Sequence, residues 1–453
     1  MNPPKEILLD LHISPPDLFS AILENSQDAF LLESSEGPKK LARFSFIGFL
    51  PYSHMSLKNG CLKIDGEETD TKNPLLHLKN EVGKSSFKGQ GFLGGAVGYF
   101  SFDYVRYIEN FQSSPNDEVN FPDFEFGMFS DAVVFDHRKG TIKYIYSNEN
   151  RLELLLSYIK DASFSNDAMQ MYNQKCKVGK EKFLSMVNTA KEYIKAGEIF
   201  QVVLSNRYEI KFVGSLVPFY KKLKAINPSP YLYYLKFGDR QLIGSSPENL
   251  FRLEGKEITS YATIAGTRPR GKTKEEDEFL ERELLSDEKE RAEHLMLVDL
   301  TRNDIGRVAK IGSISVPEIM SIHKYSHVQH LVSLVKAKIS KGKDSYDIFN
   351  SIFPAGTVSG APKIRAIEII DELEGTSRGP YAGAVGYFSP NGNADFAIAI
   401  RTLFASKNRA YVQAGAGIVY DSIPEKEFEE IENKSRSLLH ALGEDRYLAA
   451  IGQ

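Results

Sequence analysis

The chain of 453 residues contains no tryptophan, although it has 22 tyrosines and 29 phenylalanines. It has only two cysteines, Cys61 and Cys176, which excludes a disulfide scaffold and leaves no CxxC or paired ligand cluster for a zinc site. So little cysteine fits a reducing, cytoplasmic compartment. No run approaches the ~18 apolar residues that a membrane span needs. The opening MNPPKEILLDL is too short and too acidic for a secretion signal. Positive charge is also not in excess: 56 Lys and Arg against 60 Asp and Glu leave a net charge of −4, which excludes a bulk electrostatic grip on nucleic acid. What is present is ordinary. With 42% apolar and 26% charged residues the chain can build a large core and is not disordered.

The first third, residues 1–160, reads as β-rich. Asn59-Gly60 between two alternating segments is a type I′ hairpin signal, and it places Cys61 in a strand. Further strands are expected at 92–101, 130–136 and 142–147, and a helix over 152–159. Residues 161–178 lack periodicity and read as a linker carrying Cys176. The region 180–453 follows, with a helix that starts near Phe183. Strands are expected at 199–211, 231–237, 241–245, 380–388, 394–403 and 410–419. Helices are expected at 216–224, 275–284, 288–300, 345–351, 361–371 and 424–442. Such an irregular alternation predicts an α+β fold with facing, mainly antiparallel sheets and helices outside. Gly95-Ala-Val-Gly-Tyr-Phe-Ser101 recurs unchanged as Gly383–Ser389. The repeat suggests that the two halves present related sheets that face each other.

There is no phosphate loop and no complete GxGxxG; Gln413-Ala-Gly-Ala-Gly-Ile-Val-Tyr420 has only the first two glycines. The acidic helices say more. Asp287 can cap a helix on which Glu290 and Glu293 share a face, with Leu295, Met296 and Leu300 on the buried side. In the last helix Pro424 sits in the first turn and Gly443 ends it. Phe428, Ile431, Leu438, Leu439 and Leu442 make its apolar stripe, and Glu427, Glu430 and Lys434 share an adjacent face. The bland reading of each helix is a solvated charged face, with Glu430–Lys434 an ordinary i,i+4 pair. The sharper reading is that two ExxE faces converge on one hard cation such as Mg²⁺. Gly244–Asn249, Ile264–Gly271 and Phe353–Lys363 read as loop islands that mix glycine or proline with hydroxyls or charge, which suits an anion pocket or plain turns. His330 among strand-forming residues is by itself more often structural than catalytic.

In this order the segments resemble the chorismate-utilising enzymes, and within them most closely the anthranilate synthase large component. The markers are FLLES at 30–34, ARFSFIG at 42–48, GEIFQVVLS at 197–205, NPSPY at 227–231, IAGTRPRG at 264–271, AEHLMLVDLTRNDIGRV at 292–308, FPAGTVSGAPK at 353–363 and EKEFEEIENK at 425–434. The resemblance implies a two-lobed fold and a Mg²⁺-dependent lyase that converts chorismate and ammonia to anthranilate and pyruvate. It implies Glu293 and Glu430 as metal ligands, with Glu290 and Glu427 behind them through water. It implies Glu248 as the acid that protonates the departing 4-hydroxyl, with His330 close by. It implies Tyr387 and Arg401 on the enolpyruvyl carboxylate, Gly415, Ala416, Gly417 and Lys434 around the ring carboxylate, and Thr267 and Thr357 as pocket hydroxyls.

Relatives that make isochorismate or salicylate carry a lysine base where this chain has Gln201. Glutamine cannot activate water, so ammonia is the expected nucleophile. Many aminodeoxychorismate synthases carry a lysine nucleophile where this chain has Ala265; alanine forms no such adduct, so direct attack by ammonia at C2 is expected, with the folate-pathway aminodeoxychorismate activity as the alternative. A catalytically silent tryptophan sensor on the same fold is a third reading, disfavoured by the intact charged residues. FLLES and NPSPY resemble an inhibitory tryptophan site, with Glu33 and Ser34 on the ammonium group and Pro230, Tyr231 and Leu232 against the indole. Neither cysteine suits a glutaminase nucleophile, and the chain ends at Gln453 with no appended domain. A separate glutamine amidotransferase subunit in a hetero-oligomer is therefore expected as the ammonia source.

Overall fold

The computed structural model describes residues 3–34, 43–87, 89, 91–111, 116–163, 169–324 and 328–443; the side chains of 262–265, 267 and 328 are outside this description. Among the described residues the strands form one sheet of twelve strands and one of eleven. Helices cover them, so the expected α+β architecture with two antiparallel sheets is what forms.

Residues 1–160 and 180–453 do not separate in space. The first sheet joins Asp28–Glu33 of the former to Tyr231–Phe237 of the latter, with Glu33 opposite Leu232 and Phe30 opposite Leu235. The second sheet joins them at the repeat. Gly95–Phe100 lies beside Ala384–Phe388 as its antiparallel neighbour, with Gly98 opposite Gly386. The repeated segments thus pair edge to edge in one sheet rather than facing each other from two, a correction to the sequence reading. The glycines explain why the copies are alike. A Cβ at Gly98 would fall 2.0 Å from the Glu125 carbonyl, and one at Gly386 would fall 2.0 Å from that of Asp395.

Strand alternation sorts the core into two bodies. From Asp28–Glu33, Phe30 joins a cluster shared by both sheets, with Tyr233 and Phe404 from one and Met55, Phe126 and Val385 from the other. Ala29 and Leu31 point the other way, into a cluster with Leu18, Phe19, Tyr220 and Leu438 from the outer helices. The last helix, Pro424–Ala441, has Pro424 in its first turn and buries Phe428, Ile431, Leu438 and Leu439 as its periodicity predicts.

Several expectations need correction. The linker at 161–178 contains a strand, Gln170–Cys176, which pairs with Gln201–Val213. Its exposed, polar, edge-strand sequence carries no alternation to read. Ile264–Gly271 is mostly not a loop but the end of a long strand, Glu257–Pro269, paired with Val328–Lys338. The strand expected at 394–403 breaks into Ala394–Ile398 and Thr402–Ser406, and Arg401 between them holds φ +51°. In the Glu288–Gly306 helix Asp287 is the N-cap, accepting from the amides of Lys289 and Glu290. Its buried face is His294, Leu297, Val298 and Ile305, and Leu295 is exposed.

One buried ion pair ties these layers together. Arg378, 1% exposed, donates to Glu374 at 2.9 and 2.6 Å and to the carbonyls of Val358 at 2.8 Å and Val203 at 2.6 Å. Glu374 also accepts from the amide and hydroxyl of Ser205, each at 2.8 Å. Removing one partner strands the other charge in the core. Arg378→Met is expected to lower stability by about 3–5 kcal/mol in urea unfolding; a loss under about 1 kcal/mol would contradict this role.

Candidate active site

The strands Gln201–Val213 and Arg409–Ile418 run antiparallel, with Val203 opposite Gly417 and Ser205 opposite Gly415. Beside them the Glu288–Gly306 and Pro424–Ala441 helices close a cavity of about 780 Å³. Its walls carry Gln201, Glu248, Glu290, Glu293, His330, Thr357, Arg401, Gly415, Gly417, Glu427, Glu430 and Lys434, so twelve residues expected at the site from sequence line one cavity. Separate stretches of chain spread from Gln201 to Lys434 supply them, which only the fold brings together.

Three expected residues stand differently. Tyr387 lies in a second cavity, with Arg252 and Asp395, because its strand position turns its ring away from Arg401. Tyr381, ahead of that strand, takes the place beside Arg401 that had been expected for Tyr387. Ala416 points into the apolar core while its neighbours Gly415 and Gly417 line the cavity, as strand alternation requires. The side chains of Thr267 and Ala265 lie outside the described residues. The Thr267 backbone pairs with His330. Sequence reading missed Tyr381, Gln413, Lys289 and Lys426; an aromatic just after Gly379-Pro380 is too weak a signal against a seven-residue repeat nearby.

Close approach explains the two glycines. A Cβ at Gly417 would sit 2.5 Å from Gln201 Nε2, and one at Gly415 would sit 2.7 Å from the Tyr381 hydroxyl oxygen. Gln201 Nε2 donates to Glu293 at 2.9 Å. Lys434 Nζ meets Glu430 at 2.6 Å and donates to the Gly415 carbonyl at 2.9 Å.

The electrostatics divide the cavity into two ends. At one end burial, then the nearby Glu290 charge, raises the pKa of Glu293, and Glu430 adds to this. Burial and Glu430 likewise raise Glu427. Among the described residues no three His, Cys, Asp or Glu side chains are close enough to form a finished metal cage. Four carboxylates that face one cavity, two of them raised by burial and by their neighbours' charge, are nevertheless the donor chemistry of a hard, oxygen-liganded cation. At the other end burial pushes Glu248 up to about 7, against the pull of the Thr357 hydroxyl and the Lys434 ammonium. Burial lowers His330 to about 4, with Arg401 helping, so its ring is neutral near pH 7. His330 Nδ1 lies 3.4 Å from the Gly266 carbonyl. Burial also lowers the pKa of Arg401, whose left-handed backbone is the kind of strain that sites tolerate.

A profile of the chorismate binding enzyme family matches residues 27–440. The chain belongs to the chorismate binding enzymes. Within that family it is 47% identical over 432 residues to anthranilate synthase component 1 of Methanothermobacter thermautotrophicus, covering 94% of this chain and 92% of that protein. It is 46% identical to anthranilate synthase component 1 of Acetivibrio thermocellus, over 97% of this chain and 94% of that one. The crystal structure of anthranilate synthase component I from Streptococcus pneumoniae superposes with a TM-score of 0.81 at 39% identity, over 89% of this chain and 93% of the other. The sequence resemblance to this branch of the family therefore stands.

Glu248 also makes a stability prediction. Its folded pKa of about 7 lies above the carboxylate value of 4.5, so the native state holds the proton more tightly than the unfolded one. The resulting penalty is absent below the lower value, grows between the two, and is complete above about pH 7. Glu248→Gln has no such titration. Its stability relative to the parent is expected to rise by about 2–3 kcal/mol between about pH 5 and pH 8 in urea titrations; a pH-independent difference would contradict it.

Proposed function

We propose that the chain is the aminase component of anthranilate synthase, converting chorismate and ammonia to anthranilate and pyruvate. The observation that carries this reading is a buried carboxyl, Glu248, poised near neutral pH in the same cavity as Arg401 and four converging glutamates. The chain's relatives named anthranilate synthase component 1 support it.

The residues divide the work. Arg401, with Tyr381 beside it, can grip the enolpyruvyl carboxylate through charge-assisted hydrogen bonds. Lys434 and the backbone at Gly415 and Gly417 meet the ring carboxylate. Glu293 and Glu430, backed by Glu290 and Glu427, would hold a magnesium ion, whose positive charge would offset the glutamates and favour an anionic substrate. Glu248 gives its proton to the 4-hydroxyl, which leaves as water while ammonia bonds to C2. A carboxyl still protonated near pH 7 is matched to this task. His330, neutral in its buried setting, can accept a hydrogen bond or a proton as pyruvate departs, but cannot serve as a cationic acid. Gln201 faces the cavity with an amide that takes no proton, so attack by water has no base there. Ammonia needs no such activation. We assign its supply to a separate glutaminase subunit.

Incubation with chorismate, Mg²⁺ and ammonium salt should yield fluorescent anthranilate with one pyruvate each, and chelation should stop it. Retention of pyruvate on an aminated ring would instead mark the aminodeoxychorismate reaction. Glu248→Gln should lower kcat at least about 10²-fold.

The second cavity, about 760 Å³, contains Leu32, Ser34, Tyr231 and Tyr387, and we assign tryptophan feedback to it. Glu33 and Leu232 also line this cavity, while the Glu33 carboxylate accepts from Lys224 at 2.6 Å and Tyr220 at 2.7 Å. Leu232, 1% exposed, packs with the same outer cluster. Tyr231, held by Asp395 at 2.9 Å, remains to contact an indole. Because the chain has no tryptophan, indole emission reports the bound ligand alone. Tyr231→Ala should raise the tryptophan concentration for half-inhibition about tenfold or more at unchanged kcat; unaltered inhibition would remove Tyr231 from the site.

A further inference from the structure

Glu248 stands in a wall between two cavities. In front of it lies the large active-site cavity. Behind it is a much smaller one, lined by Glu248, Asn249, Thr301, Asp304 and Thr357 among others. The space open to water there is about 20 Å³, enough for one or two molecules.

One fully buried polar atom on its walls, Asn249 Oδ1, has no hydrogen-bond partner among the described residues, and the Thr357 hydroxyl on the same wall sits beside Glu248. Asn249 is 3% exposed, and its amide nitrogen is already used, donating to the Tyr231 hydroxyl at 2.7 Å and the Phe396 carbonyl at 3.3 Å. Leaving such an acceptor dry is unfavourable, and a bridging water removes the deficit. Asp304, at the far wall, faces Lys363 Nζ at 2.7 Å, and Lys363 also donates to the Ile352 carbonyl at 2.8 Å. The side chains of Asp304 and Lys363 are 13% and 14% exposed, so the pair reaches solvent. Thr301, one helical turn before Asp304, donates to the Leu297 carbonyl at 3.1 Å and keeps its oxygen as an acceptor.

We propose that the rear cavity holds an ordered water through which Asp304 returns a proton from solvent to Glu248 after each turnover. This rests on the reading of Glu248 as the general acid. Having given its proton to the departing hydroxyl, Glu248 is a carboxylate in a closed pocket, with product in front of it. Protonated Asp304 gives its proton to the water, and the water gives one to Glu248. Asp304 then takes a proton from solvent, matched by the proton that the ammonium nitrogen formed at C2 gives up to solvent, so that the turnover balances and no charge is stranded. Burial raises the pKa of Asp304 against the pull of the Lys363 ammonium, and burial likewise raises that of Glu248. Asp304 touches no substrate; it is a positioning residue for the proton.

The test is Asp304→Asn in the full chain with ammonia as nucleophile. The expected result is a fall in kcat of about tenfold, an unchanged KM for chorismate, a larger solvent deuterium isotope effect on kcat, and partial rescue by added imidazole. Unchanged kcat and isotope effect would overturn the relay. Should the variant fail to fold, a high-resolution structure of the parent decides. An ordered water within hydrogen-bonding distance of Asn249 Oδ1 and Thr357 Oγ1 supports the relay, and a dry cavity overturns it. Glu248→Gln separates the two readings: full activity there sinks the general-acid assignment, whereas its inactivity beside a fully active Asp304→Asn sinks the relay alone.

Discussion

The buried Arg378 guanidinium is the constraint on which the rest of the architecture leans. It draws together the end of the Lys363–Glu374 helix, the Val358 carbonyl and the Val203 carbonyl on a cavity-lining strand. Its plane lies 4.7 Å from the Phe102 ring centroid and 5.6 Å from that of Tyr381. One fully desolvated charge therefore holds Thr357, Tyr381 and the strand of Gln201 in mutual register. A buried charge tolerates no looseness, because any partner that drifts leaves it uncompensated. The site inherits that rigidity.

The cavity built on this frame sets one buried carboxyl apart from a group of four. Glu248 and the Glu290, Glu293, Glu427 and Glu430 group all carry the same functional group. Desolvation by burial lifts the first to about 7, so that it holds a proton part of the time near neutral pH. Mutual repulsion of the others suits a cation instead. Environment, not residue type, assigns the roles. Lys434 bridges the two ends, paired with Glu430 and close enough to temper Glu248.

Much of the fold was legible in the sequence where periodicity was strong. Tyr231–Phe237 and Pro424–Ala441 fall close to their expected bounds because both alternate or repeat cleanly over many residues. The Gln170–Cys176 edge strand was illegible because nothing buries either face fully. The Glu257–Pro269 strand was hidden behind glycine and proline chemistry that reads as loop. Within the site, motif residues on helices were found with the correct face. Tyr387 was mistaken for Tyr381 because the direction a strand residue points depends on register, which a short motif does not carry.

By itself the sequence determined the family, the list of charged residues and the absence of a base at Gln201, since these are matters of residue identity and order. The tertiary structure decided which of those residues share a cavity, that Glu33 is spent on Lys224 and Tyr220, and that the repeat pairs edge to edge. It also decided the proton affinity of Glu248. Burial and neighbouring charge are properties of position in space, and separated chain segments acquire a common environment only when the two sheets pack.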